Sequence, residues 1–254
     1  MRQLLLISLV LVASSAAMAQ QWEVSRMPWG DPDIQGIWTS ATLTTLDRPD
    51  ELEDLVLTEE QVRFLEQYGE DMLKSIDDLP EGDLTAGEDV GGYNAAWLDP
   101  GTRVLRVNGE PRSSIIVEPE DGHVPYTLWG RGRFYWQGYT FIARHDNPEE
   151  RPLGERCTVG FGSTGGPPML PVLYNNNYQF VQTKDVILIL VEMNHDVRTV
   201  RMGGKPLPKA VRPWLGDSLG HWEGDTLVVR TTGFHLQQNL RAAIKHQFYM
   251  TEDS

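Results

Sequence analysis

The side chains best suited to acid–base chemistry follow directly after one strongly apolar segment. Residues 186–191 (VILILV) form the longest apolar run outside the N-terminus, and five polar residues come soon after it: Glu192, Asn194, His195, Asp196 and Arg198. Histidine is the side chain whose charge changes near neutral pH, and a carboxylate beside it can orient the ring. We therefore predict that His195 moves a proton and that Glu192 or Asp196 orients it. The alternative is a core histidine with satisfied hydrogen bonds.

The alternation of this segment predicts which way His195 faces. On an unbroken strand, the odd positions from Ile187 to Val197 would share one apolar face, and His195 would lie among them. The stretch 186–202 is long for a straight strand, so we expect a bulge or bend near 194–196. Such a bulge often re-aims side chains beside an active site.

A second polar segment, YNNNY at 174–178, is a candidate for ligand binding. Amide side chains offer both donors and acceptors, so one of them could hold a ligand oxygen as an oxyanion hole does. The alternative is a polar turn held by its own amides. An aromatic residue from a strand predicted over 134–144 completes the substrate-binding set: Tyr174, Asn175, Asn176, Asn177, Arg198 and Trp136.

Two other chemistries have weaker support. Asp217, Ser218 and His221 are the residue types of a catalytic triad, but the serine lies in GDSLG rather than in G-x-S-x-G. A zinc ion needs three or four convergent ligands, and the spacing of the candidates does not require them to meet: His145, Glu192, His195 and His221. We predict neither a metal nor a cofactor.

Composition and the N-terminus indicate export. Residues 1–19 have the features of a secretory signal peptide, with Arg2, an apolar core at 4–12 and an A-x-A cleavage site at 17–19. The apolar part is too short to span a bilayer, so we predict a periplasmic or secreted protein without a membrane span. The net charge of −14 argues against nucleic acid as a partner, because phosphate binding requires a basic surface. A single cysteine excludes an internal disulfide, and we expect Cys157 to be buried and inert.

One amphipathic helix is predicted over 57–76. Thr58 and Gln61 can form a capping box, and Leu57 with Val62 a hydrophobic staple. Apolar residues at helical spacing give this helix one packing face: Val62, Leu65, Tyr68, Met72, Leu73 and Ile76.

From residue 93 onward, short apolar or alternating segments separated by Gly- and Asp-rich turns predict strands. They lie at 103–108, 113–118, 134–144, 178–183, 186–192 and 226–231, and the last is preceded by a further strand after Gly216 and by a turn at 223–225. We predict a mainly β fold, an antiparallel barrel or sandwich of calycin type, with one peripheral acidic helix. After Phe234 the sequence favours a weakly helical or irregular segment. The predicted organisation is a signal peptide at 1–19, an N-terminal extension at 20–92 and a β-rich body at 93–254.

Seven motifs occur together in this chain: PWGDPDIQGIW (28–38), YNAAWLDPGTRV (93–104), SSIIVEPEDGHVP (113–125), RPLGERC (151–157), GPPMLPVLYNNNYQFVQTKD (166–185), VEMNHDVRTVRMGGKP (191–206) and WLGDSLGHWEGDTLVVRTTGF (214–234). In combination they resemble a widespread family of secreted bacterial proteins that carries no settled biochemical function. The resemblance implies a β-rich, secreted protein and implies no particular catalytic residues. It also implies a further β-rich segment after Ser254, so we expect this chain to be C-terminally truncated and its body to lack closing strands.

These observations favour a secreted, cofactor-independent enzyme, a lyase, isomerase or hydrolase that acts on a small, largely apolar or aromatic molecule. The alternative is a non-catalytic periplasmic protein that binds a small molecule or, given its eight Trp residues, a carbohydrate.

Overall fold

The structure is a computed structural model that describes residues 23–77, 97–143, 146–148, 153–154, 156–160, 164–166, 168–242 and 246–249. Within these ranges the side chains of 76–77, 137–143 and 239–249 are not described. The predicted signal peptide at 1–19 and the predicted boundary at 92–93 lie outside the described residues.

The described elements follow one another as ten short strands, two helices and one 3₁₀ turn. They are β1 (Gly36–Thr39), α1 (Glu59–Asp77), β2 (Arg106–Val107), β3 (Glu110–Pro111), α2 (Leu128–Ala143), β4 (Asn177–Gln182), β5 (Val186–Val191), the 3₁₀ turn (Met193–His195), β6 (Val197–Met202), β7 (Asp217–Glu223), β8 (Thr226–Thr232), β9 (Asn239–Ala242) and β10 (His246–Tyr249).

Six strands form one sheet in the order β1-β4-β5-β6-β7-β8, and the prediction of a mainly β fold is confirmed. β6 and β7 run parallel, with Val200 opposite Ser218, whereas the other neighbours in this sheet run antiparallel. The prediction of a purely antiparallel arrangement is therefore wrong. The described strands form no closed barrel, because β1 and β8 are the outer strands of the sheet.

The core lies against one face of this sheet. On β5 the odd positions Ile187, Ile189 and Val191 are buried, while Leu188 and Leu190 on the other face are partly exposed. Tyr178 and Val200 from the flanking strands join the same apolar cluster. Each large side chain buried in this way contributes about 1.5–3 kcal/mol, so this alternation fixes which face of the sheet is covered.

Helix α1 begins as the sequence predicts. The Thr58 hydroxyl accepts a 3.2 Å bond from the Gln61 backbone N–H, and the Thr58 N–H donates to Oε1 of Gln61 at 2.8 Å. Leu57 and Val62 are both buried and pack with Val104, so the capping box and the staple are confirmed. The predicted packing face is correct only in part, because Tyr68 is exposed.

The strand predicted over 134–144 is wrong: residues 134–143 belong to helix α2, and residue 144 lies outside the described residues. Its alternating aromatic and small residues have the period of a strand, but a helix cap precedes them. The Thr127 hydroxyl accepts a 3.1 Å bond from the Gly130 N–H, as an N-cap residue does. One turn later the Arg133 guanidinium lies 5.2 Å from the centre of the Trp129 ring, a helical i,i+4 contact.

Two further segments differ from the predictions. Residues 239–249 contain a two-stranded hairpin, β9–β10, where a helical or irregular segment was expected. The strand predicted at 103–108 is reduced to β2, which pairs with β3 at 110–111, and the segment predicted as a strand at 113–118 is not one. By contrast, the β4–β5 and β7–β8 hairpins form where the sequence predicts them. Neither described helix has the length and apolar character to span a membrane.

Candidate functional site

The bend predicted near 194–196 is present and forms the turn between β5 and β6. Glu192 has right-handed helical backbone angles, whereas Asn194 and His195 have positive φ values of 60° and 55°. Asp196 returns to extended geometry, and β6 begins at the next residue. We call residues 192–196 the acid–base turn, because it carries all three side chains predicted for catalysis: Glu192, His195 and Asp196.

This turn reverses the side-chain alternation. The buried positions are odd on β5 but even on β6, where Arg198 pairs with Ile189 across the hairpin. An unbroken alternation would have put His195 on the apolar face, but the strand is broken by the bend expected near 194–196. The two left-handed residues rotate the chain, so His195 is exposed to solvent and Arg198 enters the buried side.

Asp196 connects the turn to Gly160. Its Oδ2 atom accepts a 2.6 Å bond from the Gly160 backbone N–H, and its Oδ1 atom accepts a 3.4 Å bond from Nδ2 of Asn194. The side chain is half-buried, and desolvation by burial raises the pKa of Asp196 above its usual value, against the opposing effect of these hydrogen bonds and of Arg198. Asp196 can therefore hold a proton at a higher pH than an exposed aspartate.

Glu192 and Asn177 connect the turn to the start of β4. The Glu192 Oε2 atom accepts bonds from the Asn177 backbone N–H at 3.1 Å and from its Nδ2 at 2.9 Å. The Glu192 N–H in turn donates to the Asn177 carbonyl at 3.0 Å. One carboxylate and one amide that the sequence assigned to the site thus lie together, and each limits the freedom of the other.

Both polar atoms of the Asn176 side chain form hydrogen bonds to backbone groups inside the protein. It is buried; its Oδ1 accepts from the Val172 N–H at 2.8 Å, and its Nδ2 donates to the carbonyls of Asp99 and Val172 at 2.7 and 2.8 Å. This is the arrangement of the alternative interpretation, a polar turn held by an amide. Of its neighbours, Tyr174 is half-buried and Asn175 is exposed with a φ of 57°.

The Arg198 guanidinium is likewise engaged by buried acceptors. One terminal nitrogen donates to the Leu215 carbonyl at 3.1 Å, the Ser218 hydroxyl at 3.0 Å and the Thr231 hydroxyl at 3.4 Å. The other donates to the carbonyls of Gly165 and Gly166. Burial lowers the pKa of Arg198 to about 10, which leaves it charged at neutral pH. Through these bonds Arg198 holds residues 164–166 against β7 and β8.

Trp136 lies on a different element from these residues. It belongs to α2 rather than to a strand of the sheet, and the helix packs most closely against β10. Its indole is exposed. No described contact brings Trp136 to the acid–base turn.

The two weakly supported groupings do not form among the described residues, and His145 lies outside them. Ser218 is buried against Arg198, whereas His221 is exposed and bonds Glu223 at 2.9 Å, so the two lie on opposite faces of β7 and form no triad. His221 lies beyond the Met202–Gly220 pair, at the end of the sheet opposite His195. No group of three or more His, Cys, Asp or Glu residues in the described ranges is placed to hold a metal.

Two findings could not be expected from the sequence. Cys157 is exposed and has a φ of 52°, so the prediction of a buried thiol is wrong. Gly160 supplies the hydrogen bond to Asp196 from 36 positions earlier in the chain. No local pattern marks Gly160, because its role depends entirely on how the intervening chain folds.

Comparison with family models, with curated proteins and with solved structures gave no match to this chain.

Proposed function

We propose that the protein is a secreted, cofactor-independent enzyme in which the His195 imidazole moves a proton on a small, largely apolar or aromatic molecule. The observation that carries the proposal is the pair His195 and Asp196 in the acid–base turn. An exposed imidazole stands beside a half-buried carboxyl whose pKa is raised by burial. Groups of this kind can serve as base and acid in one reaction.

The backbone of the turn supports the same proposal. Asn194 and His195 are consecutive non-glycine residues in the left-handed region. That conformation costs a residue such as His195 roughly 1–2 kcal/mol and an asparagine less, and such strain is commonly retained at functional sites. Glu192, held by Asn177, would orient the reacting groups from the first residue of the turn. The reaction class would be that of a lyase, an isomerase or a hydrolase.

One observation favours a second candidate, a non-catalytic periplasmic binding protein of calycin type. Catalysis would require donors that steady developing negative charge, and the two best suited groups, Asn176 and Arg198, already bond to buried internal acceptors. A protein that only binds its ligand needs no such donors. In this candidate the sheet would form part of a closed barrel around the ligand.

Conversion of a compound mixture separates the two candidates. The purified protein is incubated with small aromatic and aliphatic esters, ketones and alcohols, and the mixture is followed by mass spectrometry. His195→Gln is compared with His221→Gln, the matched control, because both histidines are exposed on the same sheet. We expect His195→Gln to lower turnover by roughly 10²–10⁴-fold while His221→Gln retains it.

The contrary outcomes are equally clear. Equal turnover by His195→Gln and the unchanged protein would show that the imidazole moves no proton. Retention of a compound in native mass spectrometry, without conversion by any form, would favour the binding protein. If no compound is converted and none is retained, both candidates are contradicted.

A further inference from the structure

Helix α1 has a second apolar face that the fold leaves uncovered. Its first face, with Val62 and Leu65, packs on the body, and Gly69 approaches it so closely that a Cβ there would lie 2.9 Å from the Leu43 side chain. Phe64 and Tyr68 point elsewhere and are 69% and 63% exposed. Their rings are one helical turn apart, stacked at 6.5 Å between centroids with 19° between planes.

These rings form one wall of a groove. The opposite wall comes from the chain just before the helix, and the cavity of about 430 Å³ is lined by Pro49, Glu51, Leu52, Gln61, Phe64, Leu65 and Tyr68. Gln61 is occupied by the capping box. The groove therefore offers aromatic and aliphatic surface with one carboxylate, Glu51, in its lining.

The charge around the groove is mainly negative. Residues 49–77 contain ten acidic and two basic side chains. Glu59 is bound by Arg106 at 3.1 Å, and Lys74 lies 3.8 Å from Asp71, so part of this charge is compensated. Glu51 is exposed, and Asp50 beside it is 94% exposed, with only a distant His123 contact at 3.9 Å. Negative potential at an aromatic wall attracts cations, because the ring faces are themselves electron-rich.

We propose that this groove binds a small organic cation with an apolar body, such as an alkyl- or arylammonium compound. The apolar part would lie against Leu52 and Leu65, and the cationic head would meet the ring faces of Phe64 and Tyr68 beside Glu51. The volume fits one small ligand, since such sites measure roughly 300–1,000 Å³. A protein partner is less suitable, because stable interfaces bury about 800 Å² on each side, more than seven lining residues provide.

Calorimetric titration of the full chain tests the proposal. The probes are phenethyltrimethylammonium and its neutral analogue 2-phenylethanol, each titrated up to about 5 mM. We expect the cation to bind at least about tenfold more tightly than the alcohol. The double variant Phe64→Ala/Tyr68→Ala should weaken cation binding by about tenfold or more, and Glu51→Gln by about threefold.

Matched controls come from the same chain. Tyr135→Ala removes an equally exposed aromatic side chain from α2, and Glu120→Gln removes an exposed carboxylate from a turn at 119–122. Both should leave the affinity unchanged. Because Phe64 and Tyr68 are largely exposed, the double variant is expected to fold, and its circular dichroism spectrum checks this.

Several results would overturn the proposal. They are equal binding of the alcohol and the cation, an unchanged affinity in the double variant, and no cation binding up to 5 mM. Binding of a basic amphipathic peptide without binding of the small cation would assign the groove to a protein partner instead. The acid–base turn takes no part in this site, so His195→Gln should bind the cation as the unchanged protein does.

Discussion

The Gly160 backbone N–H donates a hydrogen bond of 2.6 Å to the Asp196 carboxylate. This contact joins the segment 156–160 to the acid–base turn. The approach is tight: a Cβ on residue 160 would lie 3.1 Å from the same carboxylate oxygen and 3.1 Å from Cγ of Met193. A glycine at this position lets a backbone donor reach a half-buried carboxyl that a larger residue would keep away.

Gly160→Ala should therefore destabilise the protein. The added methyl group forces Asp196 or Met193 to move, and overpacking of this kind typically costs about 1–3 kcal/mol. Urea unfolding followed by tryptophan fluorescence measures the change. Gly132→Ala is the control, because nothing lies within 4 Å of a Cβ there and the position is helical. Equal midpoints for both variants would contradict the tight contact.

The raised pKa of Asp196 predicts how stability depends on pH. Burial makes the folded protein hold this proton more tightly than the unfolded chain, whose carboxyl titrates near about 3.9. The contribution of Asp196 is complete below that pH and is lost as the pH rises through the higher folded pKa. Asp196→Asn removes this loss, so its stability relative to the unchanged protein should increase as the pH rises from about 3.9 through the folded pKa.

The measurement is the free energy of unfolding in urea at a series of pH values. Asp185→Asn serves as the control, because Asp185 is an exposed carboxylate in the β4–β5 turn. Its difference from the unchanged protein should stay nearly constant over this range. A flat difference for Asp196→Asn as well would mean that folding does not raise the pKa of Asp196.

The buried guanidinium of Arg198 gives a prediction on stability alone. Arg198→Lys supplies one nitrogen in place of a planar fork, so acceptors such as the carbonyls of Gly165 and Leu215 would lose donors. Because buried acceptors are left unsatisfied, we expect Arg198→Lys to lower the free energy of unfolding, measured in urea, by about 3 kcal/mol. Arg230→Lys, at an exposed position of β8, should change stability by less than about 0.5 kcal/mol. Similar costs for both would argue against an internal role for Arg198.

Adjacent asparagines provide an internally controlled comparison. In Asn176→Asp an oxygen replaces the Nδ2 donor that now faces the carbonyls of Asp99 and Val172, so two acceptors would oppose one another. We expect a loss of about 3 kcal/mol, the order of cost for leaving buried polar groups unpaired. Asn175→Asp is exposed and keeps a residue type that tolerates positive φ, so it should be nearly neutral. Thermal unfolding by circular dichroism distinguishes the two.

Local signals in the sequence were sufficient for elements stabilised by near neighbours. The cap of α1 depends on Thr58 and Gln61, three residues apart, and the β4–β5 hairpin on two alternating segments around one short turn. Both are local and both form as predicted. Helix α2 shows the limit of this approach, because its aromatic alternation has the period of a strand, whereas its cap depends on one residue, Thr127.

The bend that carries the candidate site was predictable, but the orientation of its side chains was not. A bend after Met193 followed from the length of the segment, yet which way each side chain faces depends on how many residues the turn uses. Two left-handed residues shift the alternation by one, which exposes His195 and buries Arg198. Contacts such as that of Gly160 with Asp196 depend on tertiary folding and leave no local pattern.

His195→Gly tests whether the strain in the turn serves the proposed reaction. Glycine adopts a φ of 55° without the steric cost of a Cβ, so the variant should be more stable by about 0.5–1 kcal/mol in urea unfolding. Turnover, if the imidazole moves the proton, should fall as far as it does in His195→Gln.

Asn108→Gly is the control, because Asn108 has a φ of 52° in the exposed β2–β3 turn. It should keep full turnover with a small gain in stability. A variant that becomes more stable only by losing activity would indicate that the left-handed backbone at His195 is retained for function. Loss of stability in His195→Gly would instead mean that the imidazole stabilises the turn, and the strain would then need no catalytic explanation.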